Sequence, residues 1–193
     1  MDFESPSALS LFVHDFGARV LARGVYRRYV DTMKLSGSET VLEIGSGTGA
    51  LSRHIAEDLQ RGGGHLTCVD TSAALVQVAR KRLRGFANID FRIGDLAEVD
   101  IEDGAFDAAV IHLMLHDVDA ASRPVLVSAA ARKLKEAGRL FTREPTKHGH
   151  GISADEVRRL AAGAGLRELS WSEGRVMFVG AVYDGVFGRL PQW

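Results

Sequence analysis

"VLEIGSGTGA", residues 41–50, runs from a short apolar stretch into glycines at alternate positions, with one carboxylate, Glu43, inside the apolar part. Gly45, Gly47 and Gly49 allow positive φ and remove Cβ atoms, so a ligand can approach the loop backbone and the free amides of a helix start. A strand, glycine loop and helix in this order hold a nucleotide-like ligand at the carboxyl end of a parallel sheet. Read as G-S-G-T-G-A, the loop also satisfies the dinucleotide pattern G-x-G-x-x-G/A, and Asp70 follows Ala50 by 20 residues, where an acid binds ribose hydroxyls. The loop alone leaves the choice of nucleotide open.

The rest of the chain repeats the same alternation. Strand-length apolar runs at 40–45, 65–70, 89–93, 106–111 and 139–143 are separated by helix-length stretches at 49–61, 72–84, 119–136 and 153–163. This predicts an α/β fold with a parallel sheet covered by helices on both faces. Ser153 and Glu156 fit a capping box at the last helix start. The end departs from the alternation: "LRELSWSEGRVMFVGAVY", 166–183, holds two strand-like runs without a helix between them. It predicts an antiparallel hairpin turning at Ser172-Glu173-Gly174. At the front, Leu11, Phe12, Phe16, Val20, Tyr26 and Tyr29 form a helical stripe over 7–34, interrupted by Gly17 and Gly24.

Composition narrows the function. With 193 residues, 46% hydrophobic and 25% charged, the chain can bury one core, so a single domain over 1–193 is expected. The formal charge of -1 argues against a nucleic-acid partner. The single cysteine, Cys68, makes neither an internal disulfide nor a cysteine-based zinc site. No apolar run approaches the roughly 20 residues of a membrane span, and no basic then apolar leader opens the chain, so the cytoplasm is the expected compartment.

Five segments in order, "VLEIGSGTG" (41–49), "CVDTS" (68–72), "RIGDL" (92–96), "FDAAVIHLMLHDV" (106–118) and "LKEAGRLFTREP" (134–145), followed by the hairpin, resemble the class I S-adenosylmethionine-dependent methyltransferases over roughly 35–183. The resemblance implies a Rossmann-like, seven-stranded, mostly parallel sheet with an antiparallel C-terminal hairpin strand. It assigns 1–34 as a helical lid or cap, 35–183 as the sheet core and 184–193 as a tail. S-adenosylmethionine is the implied cofactor and S-adenosylhomocysteine the product. Gly45, Gly47 and Gly49, with Ser46 among them, would face the methionine end, and Glu43 would support its amino-acid group. Asp70 would accept both ribose hydroxyls, with Thr71 beside it, and Asp95 would accept from the adenine amino group beside the Leu96 backbone. His112 would lie beneath the sulfur.

A sulfonium methyl is already activated, so the protein must mainly align donor and nucleophile and exclude water. Where the acceptor carries a proton, His116 in "LHDV" is the candidate general base, with a helix-start role as the plainer alternative. His148 and His150 in "PTKHGHG" are candidates for the acceptor pocket, and no carboxylate or cysteine pattern completes a metal site with them. "IHLMLH" lacks the Asn/Asp-Pro-Pro-aromatic motif of nucleic-acid amino-methyltransferases, and no cysteine follows a proline as cytosine C5 chemistry requires. A small-molecule acceptor remains, with the chain a monomer or homodimer. Two alternatives stand beside it. Lipid or isoprenoid methylation at a membrane surface would use Arg19, Arg23, Arg27 and Arg28 along the front stripe, although a solvated face explains these charges as well. The other is a non-catalytic domain that binds S-adenosylmethionine.

Overall fold

The computed structural model describes residues 23–147, 151–177 and 179–189. The chain divides into two compact units, Met1–Val99 and Asp100–Trp193. In the first, α1 (Arg23–Met33) buries Tyr29, Val30 and Met33. Arg27 on α1 bonds Asp58 Oδ1 at 3.0 Å, fixing the helix against α2 (Ala50–Leu59). Strands β1 (Thr40–Ile44), β2 (His65–Asp70) and β3 (Ile89–Ile93) are parallel in the order β3-β2-β1, with Thr40 level with His65 and Leu66 with Ile89. Parallel neighbours need long crossovers, supplied here by α2 and α3 (Ala73–Arg82). The crossovers bury Ile55, Ala56 and Leu59 from α2 and Val76 and Ala79 from α3. Ser72 caps α3, its Oγ accepting from Leu75 N at 3.4 Å.

The second unit contains β4 (Phe106–His112), a 3-10 turn at Leu115–Asp117, α4 (Arg123–Lys133), β5 (Leu134–Pro145), α5 (Ala154–Gly163), β6 (Arg167–Val176) and β7 (Gly180–Gly188). Its strands run in the order β4-β5-β7-β6, with β4 and β5 parallel and β7 antiparallel to both its neighbours. The whole is the expected seven-stranded, mostly parallel mixed sheet with an antiparallel hairpin. The capping box at the start of α5 also forms, with Ser153 Oγ accepting from Glu156 N at 3.2 Å.

Three boundaries differ from the sequence reading. The helix expected over 119–136 ends at Lys133, and β5 begins at once. The β4–β5 register shifts there, beside Gly138, where a Cβ would come within 2.9 Å of Phe106 O. That irregularity hides the strand start from a periodicity argument. The hairpin does not turn at Ser172-Glu173-Gly174: those residues sit inside β6, level with Asp184, Tyr183 and Val182 of β7. The ladder overrides their local turn preference, and the chain reverses instead after Val176, whose carbonyl accepts from Val179 N at 3.1 Å. Residues 184–188, expected as part of a tail, complete β7 and bury Phe187. The front stripe from Leu11 to Val20, Arg19 included, and both His148 and His150 lie outside the described residues.

Candidate functional site

In the first unit the glycine loop leaves β1 and is fastened to the end of β2. Gly45 N and Ser46 N both donate to Val69 O, at 2.8 and 3.3 Å. Gly49 stands at the N-cap of α2 with φ 77° and no side-chain cap, and a Cβ there would lie 2.8 Å from Leu83 Cδ1. Glycine is favoured at 49 by its left-handed backbone angle, while the Leu83 side chain could give way to a Cβ. Gly47 differs: at φ 53° its missing Cβ would meet no heavy atom within 4 Å, so the bare backbone faces open space. Its N–H donates to Asp70 Oδ2 at 2.7 Å, while Asp70 Oδ1 accepts from Ser72 N at 2.9 Å. A carboxylate offers about four lone-pair sites, so Asp70 retains capacity for further donors. Ser46 Oγ is buried without a hydrogen-bond partner among the described residues. An orphaned hydroxyl beside an open glycine backbone suits a polar ligand.

Glu43 stands one residue before the end of β1 and is only 3% exposed. Burial, with the charge of Asp70 added, pushes its carboxyl up to about 7. The Cys68 thiol faces it at 3.6 Å from Oε2. On α1, burial and then the charge of Glu43 raise the Tyr26 phenol. Thr71 is exposed just before the Ser72 cap. Asp95, also exposed, has Oδ1 accepting from Ala97 N at 2.8 Å, so it caps the turn after β3, with Leu96 buried beside it. Gly94 N donates to Asp70 O at 3.1 Å, which brings this turn to the end of β2. Thus Glu43, Gly45, Ser46, Gly47, Gly49, Asp70, Thr71, Asp95 and Leu96 gather at the carboxyl ends of the first unit's three strands.

The second unit has its own constellation, and its hub is Glu144, a residue the sequence reading passed over. Glu144 is fully buried near the end of β5. Its Oε1 accepts from Met114 N at 3.1 Å and Leu115 N at 2.9 Å. Its Oε2 accepts from His116 N at 3.2 Å and from His116 Nδ1 at 2.7 Å. A carboxylate that only accepts fixes the proton on Nδ1 and leaves Nε2 as the acceptor of the neutral ring. Burial works against the imidazolium, but Glu144 and then Asp117 outweigh it, so the His116 pKa lies above the ordinary value of 6.5. Arg123, also passed over, holds the turn from outside, donating to His116 O and Val118 O at 3.0 Å each and to Glu156 Oε1 at 2.6 Å. Leu113, with φ 53°, starts the turn and donates to Arg143 O at 2.7 Å.

His112 ends β4 with its Nε2 shut off from solvent. Burial and then the Arg143 guanidinium push its pKa down to about 3, so the ring stays neutral. Arg143 is in turn held by Asp184, with Nε to Oδ1 at 2.7 Å and the second nitrogen to Oδ2 at 2.5 Å. One signal could have found Glu144: an acid near the end of an apolar strand, as in "VLEIG", recurs in "LFTREP". Among the described residues no group of three or more His, Cys, Asp or Glu side chains could hold a metal ion.

The family model described as a methyltransferase domain matches residues 41–138, just over half the chain. The demethylmenaquinone methyltransferase of Tropheryma whipplei is 34% identical over 110 residues, covering 57% of this chain and 43% of that protein. The ubiquinone biosynthesis O-methyltransferase of Xylella fastidiosa is 39% identical over 110 residues, covering 55% and 42%. The matched part is therefore under half the length of these curated relatives. Among solved structures, the N-methyltransferase NodS from Bradyrhizobium japonicum, in complex with S-adenosyl-L-homocysteine, aligns with a TM-score of 0.73 over 88% of this chain and 87% of NodS. At 18% identity that likeness speaks for the fold alone.

Proposed function

The chain belongs to the methyltransferase domain family, class I and S-adenosylmethionine-dependent, and on that premise we propose that it methylates a small-molecule acceptor, with S-adenosylhomocysteine as the second product. In this reading the glycine loop, with Ser46, receives the methionine end, and Glu43 takes its ammonium group. Asp70 and Thr71 take the ribose, Asp95 and the Leu96 amide the adenine, and the His112 backbone lies by the sulfur. The bound cofactor supplies a methyl already activated on a sulfonium, so the chain's work is alignment and exclusion of water.

For a hydroxyl acceptor, His116 Nε2 takes the proton. The 2.7 Å bond from Nδ1 to Glu144 holds the ring in the needed tautomer and steadies the imidazolium that forms. A net charge of -1 supports a small acceptor over a nucleic acid. Both units serve one domain in this reading, capped by 1–34, acting in the cytoplasm as a monomer or homodimer.

The observation that carries the proposal is the buried Ser46 hydroxyl, without a hydrogen-bond partner among the described residues, beside the open Gly47 backbone. Calorimetric titration tests it: S-adenosylhomocysteine should bind and NAD should not. Asp70→Ala should weaken binding by about 1.5–3 kcal/mol, tenfold to a hundredfold, as for a lost charged hydrogen bond. NAD binding without binding of the sulfur ligand would overturn the reading. Tight cofactor binding with no methyl transfer to a panel of phenols, amines and thiols would favour the non-catalytic alternative.

A further inference from the structure

The run Arg80-Lys81-Arg82-Leu83-Arg84 at the end of α3 carries four cations, and three of them, Arg80, Lys81 and Arg84, are exposed. Cations near a helix C-terminus suit its dipole, which accounts for the exposed three. Arg82 is the exception: it is half-buried and reaches the glycine loop. Burial pulls its guanidinium below the ordinary range, so the inward position carries a cost that its neighbours avoid.

What Arg82 meets there is Thr48. A single terminal nitrogen, Nη1, donates both to Thr48 O and to Thr48 Oγ1, at 3.0 Å each. The end of α3 lies against the loop at this point, since a Cβ built on Gly49 would stand 3.2 Å from Ala79 Cβ. Thr48 is the one residue between Gly47 and Gly49, whose φ angles of 53° and 77° are both left-handed. Glycine has the widest choice of backbone angles, so this is where the loop has the most freedom to lose. The first half of the loop is tied to β2, through Val69 O and the Asp70 carboxylate. Arg82 ties the second half to α3. A loop that becomes ordered only when its ligand arrives loses affinity to that ordering, and a loop held beforehand does not.

We propose that Arg82 is a positioning residue for the cofactor: by clamping Thr48 it keeps the glycine loop in its receptive shape before the ligand arrives. The proposal rests on the reading of this loop as the S-adenosylmethionine site, and it uses the first unit alone. Arg82 touches the loop and acts on the cofactor through Thr48.

Two measurements on the full chain test it: the calorimetric affinity for S-adenosylhomocysteine, and amide hydrogen exchange over 45–49 without ligand. Arg82→Ala should weaken binding about tenfold and speed the exchange, while the melting temperature changes little. Thr48→Val keeps the branched shape and removes the hydroxyl, and should weaken binding about threefold. Thr48→Ser, which restores the hydroxyl, should recover most of that loss. Because Arg82 and Thr48 act as one unit, Arg82→Ala combined with Thr48→Val should lose no more than Arg82→Ala alone. Lys81→Ala removes an exposed cation next in the chain and should alter neither measurement. If Arg82→Ala disturbs folding, Thr48→Val and Thr48→Ser carry the test. An Arg82→Ala protein that keeps either the affinity or the exchange rate of the unaltered chain overturns the proposal. So does a Lys81→Ala protein weakened as much as Arg82→Ala, or a Thr48→Ser protein no better than Thr48→Val. If the unaltered protein binds no S-adenosylhomocysteine, the cofactor reading fails by itself. Exchange then decides the clamp alone: faster exchange in Arg82→Ala upholds it, and equal exchange overturns it.

Discussion

Two buried glutamates near the carboxyl ends of parallel strands, Glu43 in the first unit and Glu144 in the second, share burial and differ in what surrounds them. Glu43 is 3% exposed and Glu144 fully buried. Glu144 collects three backbone amides and the His116 ring, so its charge is fully employed within the folded chain. Glu43 has the Cys68 thiol 3.6 Å away, and burial, aided by the like charge of Asp70, outweighs the hydrogen-bonding influence of Ser52 and Cys68 and pushes its carboxyl up to about 7. Burial sets the cost of a charge, and the donors around it decide whether that cost is met by the chain or by a ligand. By this contrast Glu144 is a fixed strut, whereas Glu43 is a conditional anion whose charge a nearby cation would favour, as its proposed role toward the cofactor's ammonium requires.

The largest effect expected from this contrast is on the strut. Glu144→Ala strands three amides and a ring N–H, and should cost about 3–5 kcal/mol of stability, read as a lowered urea midpoint. A loss below about 1 kcal/mol would mean that water replaces the carboxylate without difficulty, and the contrast would collapse.

Next comes the conditional anion, where the sign follows from linkage. The folded-state pKa of Glu43 lies near 7 against an ordinary 4.5, so between these values the folded protein binds more protons than the unfolded chain. The stability linked to the protonated carboxyl is fully present below about pH 4.5 and lost as pH rises through about 7. Without ligand, Glu43→Gln should therefore raise stability by up to about 3 kcal/mol at pH 8, at about 1.4 kcal/mol for each tenfold change in proton affinity, and by little at pH 4. Melts at both pH values decide it, and an equal gain at both would remove the electrostatic explanation.

The smallest expected effect is a displacement of a pH profile. Because the Glu144 bond raises the His116 pKa, methyl transfer to a hydroxyl acceptor should increase with pH through an inflection above 6.5. The same group contributes stability that is present below 6.5 and lost as pH rises through its folded value. Replacing His116 by Asn should flatten the rate profile. An unchanged inflection in that variant would assign it to another group.

The strand, loop and helix at 41–50 were legible because glycine has few substitutes where φ is positive, as at Gly49. Asp70 was legible for its place at a strand end, and the Ser153 cap for its local chemistry. Glu144 was not, because its partners at 114–116 lie about 30 positions away and only the folded sheet brings them together. Asp95 shows the limit of motif reading, since its carboxylate also caps its own turn through Ala97 N. The hairpin shows a local preference losing to a long-range one: Ser172-Glu173-Gly174 read as a turn, yet nine residue pairs of the β6–β7 ladder place the reversal further on.

The same Glu144 anchorage sets an order of events during synthesis. The amides of Met114, Leu115 and His116 find their acceptor 28 to 30 residues further along the chain. As the chain emerges amino end first, at about 5–20 residues per second, the turn carrying His116 stays without its internal acceptor until β5 has been made and aligned on β4. The glycine loop, in contrast, is fastened by Val69 and Asp70, both present long before. The anchors of the glycine loop are thus available while the turn carrying His116 still awaits its acceptor, and a ribosome paused before residue 144 would hold a chain that has the first fastening within reach and lacks the second.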